Sequence, residues 1–188
     1  HAVDRARIRE DDIVLVIGAG PIGLGAIQFA ILTGARVLAM DIDPGKLDTC
    51  REITGLQEFL LATGEVESKL KDLLNGDLPT VILDATGNAQ SMMRTFDYVA
   101  AGGSIVFIGL FIGEVVFHDP TFHKKELTLM ASRAALSQDF TRIIELVEKG
   151  KIDPASFITH RLTFDLVPTD FEQLYAPGSN LVKAVIEL

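Results

Sequence analysis

A glycine-rich segment between a buried strand and a helix constrains this chain more than any other feature of its sequence. Residues 13–17 form an unbroken apolar run, which is typical of a strand covered on both faces. The run leads into Gly18-Ala19-Gly20-Pro21-Ile22-Gly23, where a helical pattern begins. In this setting Gly18 permits a tight turn, Gly20 lets a phosphate approach the backbone, and Gly23 lets the helix pack close to the sheet.

The start of that helix is a candidate anion site. Its first N–H groups lack partners within the helix and carry a partial positive charge. The segment 18–23, with Pro21 and Ile22 at the helix start, therefore predicts a bound pyrophosphate. The glycines alone do not decide the matter, because some strand-to-helix turns carry glycine for steric reasons and methyltransferases have similar loops.

An acidic residue at the end of the second predicted strand narrows the choice. Asp41 follows the apolar run 37–40, about 20 residues after Gly20, where dinucleotide-binding folds carry an acid. Its carboxylate can accept both hydroxyl hydrogens of an adenosine ribose and would repel a 2′-phosphate, so Asp41, with its neighbour Ile42, predicts NAD rather than NADP. The alternative is that Asp41 helps to cap the next helix, although Asp43 directly precedes a proline and is better placed to do so.

Strand-like and helix-like segments alternate over the first two-thirds of the chain. Such alternation with short links predicts parallel strands joined by right-handed helical crossovers. We therefore predict an α/β fold with a doubly wound, six-stranded parallel sheet in the order 3-2-1-4-5-6, the Rossmann architecture. The predicted strands are 13–17, 37–40, 59–61, 81–83, 104–108 and 127–130, and the main predicted helices cover 21–33, 65–74 and 89–100, with another beginning at Pro44.

The pattern changes after about residue 132. Predicted helices at 139–149 and 168–175 and predicted strands at 157–164 and 182–188 do not continue the alternation cleanly. We therefore predict a dinucleotide-binding domain at 1–131 and a C-terminal segment of separate character at 132–188.

Composition and charge argue against several functions. A net charge of −9 does not suit a nucleic-acid surface, which needs a basic stripe, and no apolar stretch is long enough for a membrane span. The single cysteine, Cys50, excludes an internal disulfide and a cysteine-based structural zinc site, and it favours a reducing cytoplasm. The interior histidines, His118, His123 and His160, lack the spacing of zinc ligands. We predict neither a metal site nor a catalytic residue within this chain.

Several segments together resemble the zinc-type medium-chain alcohol and polyol dehydrogenases. They are 14–24, the strand end 40–43, Asp84-Ala85-Thr86-Gly87, the stretch from Gly102-Gly103 to Ile108-Gly109, and the late segments 152–161 and 181–186. The resemblance extends over essentially the whole chain and is more specific than the glycine segment alone.

The resemblance implies cofactor contacts after the fourth and fifth strands. Thr86 and Gly87 would line the adenosine side of the dinucleotide. Backbone groups of Ile108, Gly109 and Leu110 would meet the nicotinamide carboxamide. The simpler interpretation is that Thr86-Gly87 and Gly109 merely end strands.

Two lysines also gain roles from the resemblance. Lys46 would lie near the adenine ribose, and Lys183 would reach the pyrophosphate. Both can equally be solvated surface charges.

The resemblance further implies what the whole enzyme does. Family members transfer a hydride between an alcohol and NAD, and they hold the catalytic zinc in an N-terminal lobe to which nothing in this chain corresponds. We expect this chain to be the cofactor-binding portion, with the segment 132–188 returning to the missing catalytic domain. Zinc would be confined to that domain, and we expect no turnover by the chain alone. The segment 123–133 is most similar to sugar-alcohol and sugar-acid members, such as sorbitol and galactonate dehydrogenases.

Assembly is also implied by the resemblance. Such enzymes commonly dimerise by joining their sixth strands edge to edge, which hides unpaired backbone groups. We therefore expect a homodimer through residues 127–130.

Two other classes of protein stay open at this point. A non-catalytic NAD-sensing module would share the glycine segment and Asp41 but would not need the C-terminal segment. In a methyltransferase that uses adenosyl-methionine, Pro21 and Gly102-Gly103 would be coincidental.

Overall fold

The computed structural model describes residues 1–176 and 178–188. They form two compact units, 1–135 and 136–188, which we describe separately. The predicted domain boundary after residue 131 stays a prediction: β6 ends at that residue, and the first unit continues to residue 135.

The first unit alternates strands and helices. Its strands are β1 (Ile13–Ile17), β2 (Arg36–Asp41), β3 (Phe59–Leu61), β4 (Val81–Asp84), β5 (Ser104–Phe107) and β6 (Thr128–Ala131). Its helices are α1 (Ala2–Ala6), α2 (Pro21–Ile31), α3 (Pro44–Thr54), α4 (Val66–Leu73), α5 (Ala89–Tyr98) and α6 (Asp119–Lys124).

The strands form one parallel sheet in the order β3-β2-β1-β4-β5-β6. This confirms the predicted doubly wound order. The chain runs outward from β1 to β3 and then returns to the other side of β1, so the winding reverses between β1 and β4. At such a reversal the connections leave the two strands in opposite directions, and a crevice opens at their carboxyl ends.

Both faces of the sheet are covered, which explains the continuous apolar runs. Leu15 and Leu38 belong to a buried cluster that includes residues of α4 and α5. Val14 and Val16 alternate with Leu15 along β1 and are equally buried, and α2 packs against β1 and β2. A strand with two buried faces has no polar side, so its sequence shows no alternation.

The helices that follow β1, β2 and β4 differ in how they begin. The Asp43 carboxylate accepts a hydrogen bond from Gly45 N at 2.9 Å, which confirms the predicted cap of α3. The Asn88 side chain accepts hydrogen bonds from Gln90 N and Ser91 N at the start of α5. By contrast, α2 begins without a side-chain cap.

Two helices of the first unit are too short for the sequence to predict. The sequence pattern does not predict α1 and α6, which have 5 and 6 residues, because apolar periodicity needs more turns to show. The helix α2 ends at Ile31 and not at residue 33. Within 1–176 and 178–188, no helix is long and apolar enough to cross a membrane.

The second unit contains the helices α7 (Ser137–Glu148) and α8 (Val167–Asp170) and the strands β7 (Ile158–Thr163) and β8 (Lys183–Glu187). Both strands predicted for this region are present, and they pair with each other in parallel. The predicted helix 168–175 consists of α8 followed by a 3-10 helix, Phe171–Tyr175.

A lysine before β6 holds the carboxyl end of α5. Lys125 Nζ donates hydrogen bonds to the carbonyl oxygens of Phe96 and Asp97, each at 3.0 Å, and of Val99 at 2.9 Å. A helix leaves its last carbonyl groups without partners, and the lysine supplies donors to them. Partial burial of the ammonium group lowers the pKa of Lys125.

We expect Lys125→Met to lower the free energy of unfolding by about 1–3 kcal/mol, because three carbonyl oxygens lose a charged donor. Urea denaturation followed by circular dichroism measures the change. The matched control is Lys124→Met, since Lys124 is exposed and adjacent in sequence, and it should change stability by less than about 0.5 kcal/mol. Equal effects of the two substitutions would contradict this role of Lys125.

Candidate functional site

A crevice of about 860 Å³ opens at the carboxyl ends of the central strands. It is bounded by the segments after β1, β2, β3 and β4 and by one side of α5. Six residues that the sequence singles out share its wall: Gly18, Gly20, Asp41, Ile42, Lys46 and Thr86. This edge of a doubly wound sheet is where such folds bind ligands.

Two of the three glycines at the start of α2 are required by the fold itself. Gly18 has a left-handed φ of 95°. A Cβ at Gly23 would collide with the carbonyl oxygen of Gly18, so this glycine lets the helix pack against the turn. Both roles are those predicted from the sequence.

No contact among the described residues requires glycine at position 20. Its φ of −76° is open to any residue, and apart from its chain neighbours no described residue has an atom within 4 Å of a Cβ built there. Gly20 also lines the crevice. The absence of a side chain therefore leaves room for something that approaches the backbone from the crevice side.

The N–H groups at the start of α2 point to the same conclusion. Pro21 has no N–H group, and none of the described residues accepts a hydrogen bond from Gly20 N, Ile22 N or Gly23 N. Unpaired N–H groups at a helix start bind anions, because the helix dipole adds positive charge there. The arrangement therefore fits a phosphate or pyrophosphate group.

Asp41 lies beside this helix start and is only 8% exposed. Its Oδ2 accepts a hydrogen bond from Ala19 N at 2.7 Å, and its Oδ1 accepts one from Asp43 N at 2.9 Å. A carboxylate has about four acceptor positions, so two remain for other donors. The carboxylate thus joins the glycine turn to the end of β2 and can still accept two hydroxyl groups. The cap of α3 is supplied by Asp43 and not by Asp41.

Ile42 and Lys46 form an exposed part of the crevice wall. The side chain of Ile42 is 76% exposed although it is large and apolar. Lys46 lies in the first turn of α3, and within the described residues it forms no hydrogen bond or ion pair. The site therefore offers an apolar surface and an ammonium group on the same side as Asp41.

Thr86 directs its hydroxyl into the protein. Thr86 Oγ1 donates a hydrogen bond to Asp84 Oδ1 at 2.6 Å and accepts one from Asn88 N at 3.1 Å. Only its remaining surface is available to the crevice. The adjoining Gly87 has a φ of 61°, and a Cβ there would lie 2.9 Å from the carbonyl oxygen of Leu110.

The turn after β5 meets the turn after β4. Ile108 N and Gly109 N donate hydrogen bonds to the Asp84 carbonyl oxygen at 2.8 and 3.0 Å. A Cβ at Gly109 would collide with Gly87 N, so both glycines are needed for this close approach. Ile108 and Gly109 use their N–H groups in these bonds, so their carbonyl groups remain for a ligand, and Leu110 is 83% exposed. None of these three residues lines the crevice.

Lys183 belongs to the second unit. It is the first residue of β8, and its side chain is exposed. Its predicted contact with a pyrophosphate stays a prediction.

Sequence reasoning missed the contribution of α5. One side of this helix lines the crevice through Asn88, Gln90, Ser91, Met93, Arg94, Asp97 and Tyr98. Arg94 Nη1 lies 3.6 Å from Asp97 Oδ2, and partial burial raises the pKa of Tyr98. The sequence signal for this wall is the spacing of residues 91, 94 and 98, which places them on one face of a helix.

No metal site is found among the described residues, since no cluster of three or more histidine, cysteine, aspartate or glutamate side chains could hold an ion. His123 Nδ1 lies 3.0 Å from Asp119 Oδ1, and His118 Nδ1 lies 2.9 Å from Thr121 Oγ1, both on the surface.

The sheet order and the crevice define a Rossmann-type α/β domain. The sequence profile of the zinc-binding dehydrogenases matches residues 21–149. The chain belongs to this family, as the resemblance predicts.

Named relatives agree with this assignment. L-galactonate-5-dehydrogenase of Escherichia coli strain K12 is 39% identical over 186 residues, which cover 99% of this chain and 55% of that protein. The chain spans about half the length of the curated relatives it matches.

Two solved structures with bound cofactors share the fold. An alcohol dehydrogenase of E. coli CFT073, complexed with NADH, is 23% identical with a TM-score of 0.89, and the match covers 100% of this chain and 55% of that one. A zinc-binding dehydrogenase of Sinorhizobium meliloti 1021, bound to NADP, is 24% identical with a TM-score of 0.88, and the match covers 100% of this chain and 56% of that one. Similar folds thus carry either dinucleotide.

The two glycines at the helix start should differ in their effect on stability. We expect Gly23→Ala to lower the free energy of unfolding by about 1–3 kcal/mol, because the new methyl group collides with backbone that cannot easily move. Gly20→Ala should change it by less than about 1 kcal/mol in either direction, since the gain from a stiffer unfolded chain is offset by the poorer N-cap that alanine makes, and the methyl group meets no described residue beyond its chain neighbours. Thermal and urea unfolding measure the stability of both variants. A large loss of stability in Gly20→Ala would contradict the open space next to Gly20.

Proposed function

We propose that this chain binds NAD in the crevice, as the cofactor-binding portion of a zinc-dependent oxidoreductase that transfers a hydride between an alcohol and NAD. The observation that carries the proposal is the uncapped start of α2 beside the buried carboxylate of Asp41. One offers N–H groups for phosphates, and the other offers acceptors for ribose hydroxyls.

The pyrophosphate would be held by backbone groups. Gly20 N, Ile22 N and Gly23 N are the donors without partners among the described residues, and no side chain at Gly20 obstructs the approach. Backbone donors bring no counter-charge that must be desolvated. The site can therefore bind an anion in a chain whose net charge is −9.

Asp41 favours NAD over NADP in this proposal. Two acceptor positions on its carboxylate match two ribose hydroxyls, whereas a 2′-phosphate would place like charges close together in a partly buried site. Lys46 is a nearby cation that could offset this repulsion, but its side chain is exposed and screened by water.

The other predicted contacts complete the proposal. Ile42 offers an apolar surface to the adenine, and Thr86-Gly87 borders the adenosine side. The carbonyl groups of Ile108 and Gly109, with Leu110, would meet the nicotinamide carboxamide. Lys183 would reach the pyrophosphate.

The chemistry of the whole enzyme comes from groups that this chain does not hold. The dinucleotide supplies the redox chemistry, and zinc, held by the catalytic domain outside this chain, supplies a Lewis acid for the alcohol oxygen. We propose a polyol or sugar-acid hydroxyl as the substrate, because the segment 123–133 resembles such enzymes and a relative named L-galactonate-5-dehydrogenase is 39% identical.

We also propose a cytoplasmic homodimer. The strand β6 lies at an edge of the sheet, and Leu129 on it is 38% exposed. Pairing of two such edges would satisfy free backbone groups. Cys50 is buried with a free thiol, which suits a reducing compartment.

Binding of NADH to Asp41 variants tests the proposed function. Asp41→Ala should weaken the affinity for NADH at least about tenfold, because hydrogen bonds to a charged acceptor are worth about 1.5–3 kcal/mol. NADPH should be affected less, so the preference for NADH shrinks. Titration of NADH fluorescence measures both constants, with little interference because the chain has no tryptophan.

The matched control is Asp43→Ala. It also removes an acidic side chain that accepts a backbone hydrogen bond, but this side chain caps α3 and does not line the crevice. NADH affinity should change less than threefold. Wild-type protein that binds adenosyl-methionine in preference to NADH would refute the proposed function.

Substitutions at the two sheet edges test the homodimer. Leu129→Lys on β6 should convert the dimer to a monomer in sedimentation velocity, because it adds charge to the proposed interface. Leu61→Lys on β3 is the control, since Leu61 is 37% exposed at the opposite edge of the sheet. A monomeric wild type would overturn the proposal.

A further inference from the structure

The acid at the end of β4 is buried, and no cation pairs with it among the described residues. Asp84 is completely inaccessible to solvent, and both of its carboxylate oxygens are in use. Its Oδ1 accepts hydrogen bonds from Thr86 N at 2.9 Å and Thr86 Oγ1 at 2.6 Å, and its Oδ2 accepts one from Ser91 Oγ at 2.6 Å. Within the part of the chain that the structure describes, the donors to this carboxylate are therefore neutral groups.

Burial of a carboxylate is unfavourable unless such donors are present. The bonds that result are short and directional, and bonds to charged acceptors are stronger than neutral ones. Ser91 also lies in the first turn of α5, where the helix dipole favours negative charge. The side chain thus fixes the turn after β4 against the start of α5.

The backbone of the same residue holds the turn after β5. The Asp84 carbonyl oxygen accepts hydrogen bonds from Ile108 N and Gly109 N. One residue therefore contacts both turns, one through its side chain and the other through its main chain. One turn includes Thr86 in the crevice wall, and the other carries the carbonyl groups proposed for the nicotinamide end.

The two turns also touch each other, and the contact leaves no space for a side chain. A Cβ at Gly109 would collide with Gly87 N, and one at Gly87 would lie 2.9 Å from the carbonyl oxygen of Leu110. A shift of the first turn must therefore move the second, because packed backbone does not compress.

We propose that Asp84 is a positioning residue that sets both turns relative to each other and so couples the adenosine end of the site to the nicotinamide end. This inference rests on the proposed function, that is, on NAD binding in the crevice. Asp84 itself does not line the crevice and acts through Thr86 and Ser91.

The test compares NADH with AMP in the full chain, at a temperature where every variant is folded. Asp84→Ala should weaken the affinity for NADH at least tenfold, because the dinucleotide contacts both the turn after β4 and the turn after β5 in the proposed site. The affinity for AMP should fall less than threefold. Its proposed main partner is Asp41, whose carboxylate is held by Ala19 N and Asp43 N and not through Asp84. Isothermal titration calorimetry measures both constants.

Two further variants separate positioning from stability. In Asp84→Asn, the amide oxygen can still accept from Thr86 and the amide nitrogen can donate to Ser91 Oγ, so NADH affinity should return to within threefold of wild type. Thr95→Val removes another buried hydroxyl from α5, one that donates to Met92 O, and it should lower the melting temperature without changing NADH affinity.

The outcomes are distinct. Unchanged NADH affinity in Asp84→Ala, or equal losses for NADH and AMP, would overturn the coupling role. If Asp84→Ala does not fold, Ser91→Ala provides the test. We expect it to weaken the affinity for NADH at least threefold, and an unchanged affinity would contradict the role of Asp84. Wild-type chain that fails to bind NADH would instead overturn the proposed function, and this inference with it.

Discussion

The close approach of α2 to the turn after β1 is the contact on which the rest of the site depends. Gly23 packs against the carbonyl of Gly18, and any side chain there would force the helix away from the sheet. The helix therefore starts close to the sheet, and Gly20 at its start lines the crevice at the point where the winding reverses. The proposed anion site thus rests on backbone groups that the fold places there, without a charged side chain.

Two buried acids then organise what surrounds this helix start. Asp41 ties Ala19 in the glycine turn to the residues after β2 and retains acceptors for a ligand. Asp84, at the end of the neighbouring β4, accepts three hydrogen bonds from Thr86 and Ser91 and does not line the crevice. The same residue type at equivalent strand ends therefore does two jobs, one by contacting the crevice and the other by fixing its walls. The number of donors that the protein itself supplies to each carboxylate makes the difference.

Much of this fold could be predicted from the sequence because its signals are local. Apolar runs covered on both faces, the Asp43 cap and the glycine spacing each depend on a few adjacent residues. The wall formed by α5 and the bonds of Asp84 could not, because they join segments that only the folded sheet brings together. The role expected of Thr86 illustrates this limit, since its position was evident but the inward direction of its hydroxyl was not.

The central claim is that backbone at the start of α2 holds the pyrophosphate while Asp41 holds the ribose. A crystal structure of the chain grown with NADH tests it most directly. We predict pyrophosphate oxygens within hydrogen-bond distance of Ile22 N or Gly23 N, and ribose hydroxyls on the Asp41 carboxylate. Density for NADH elsewhere, or a protein side chain occupying the space above Gly20, would contradict this claim.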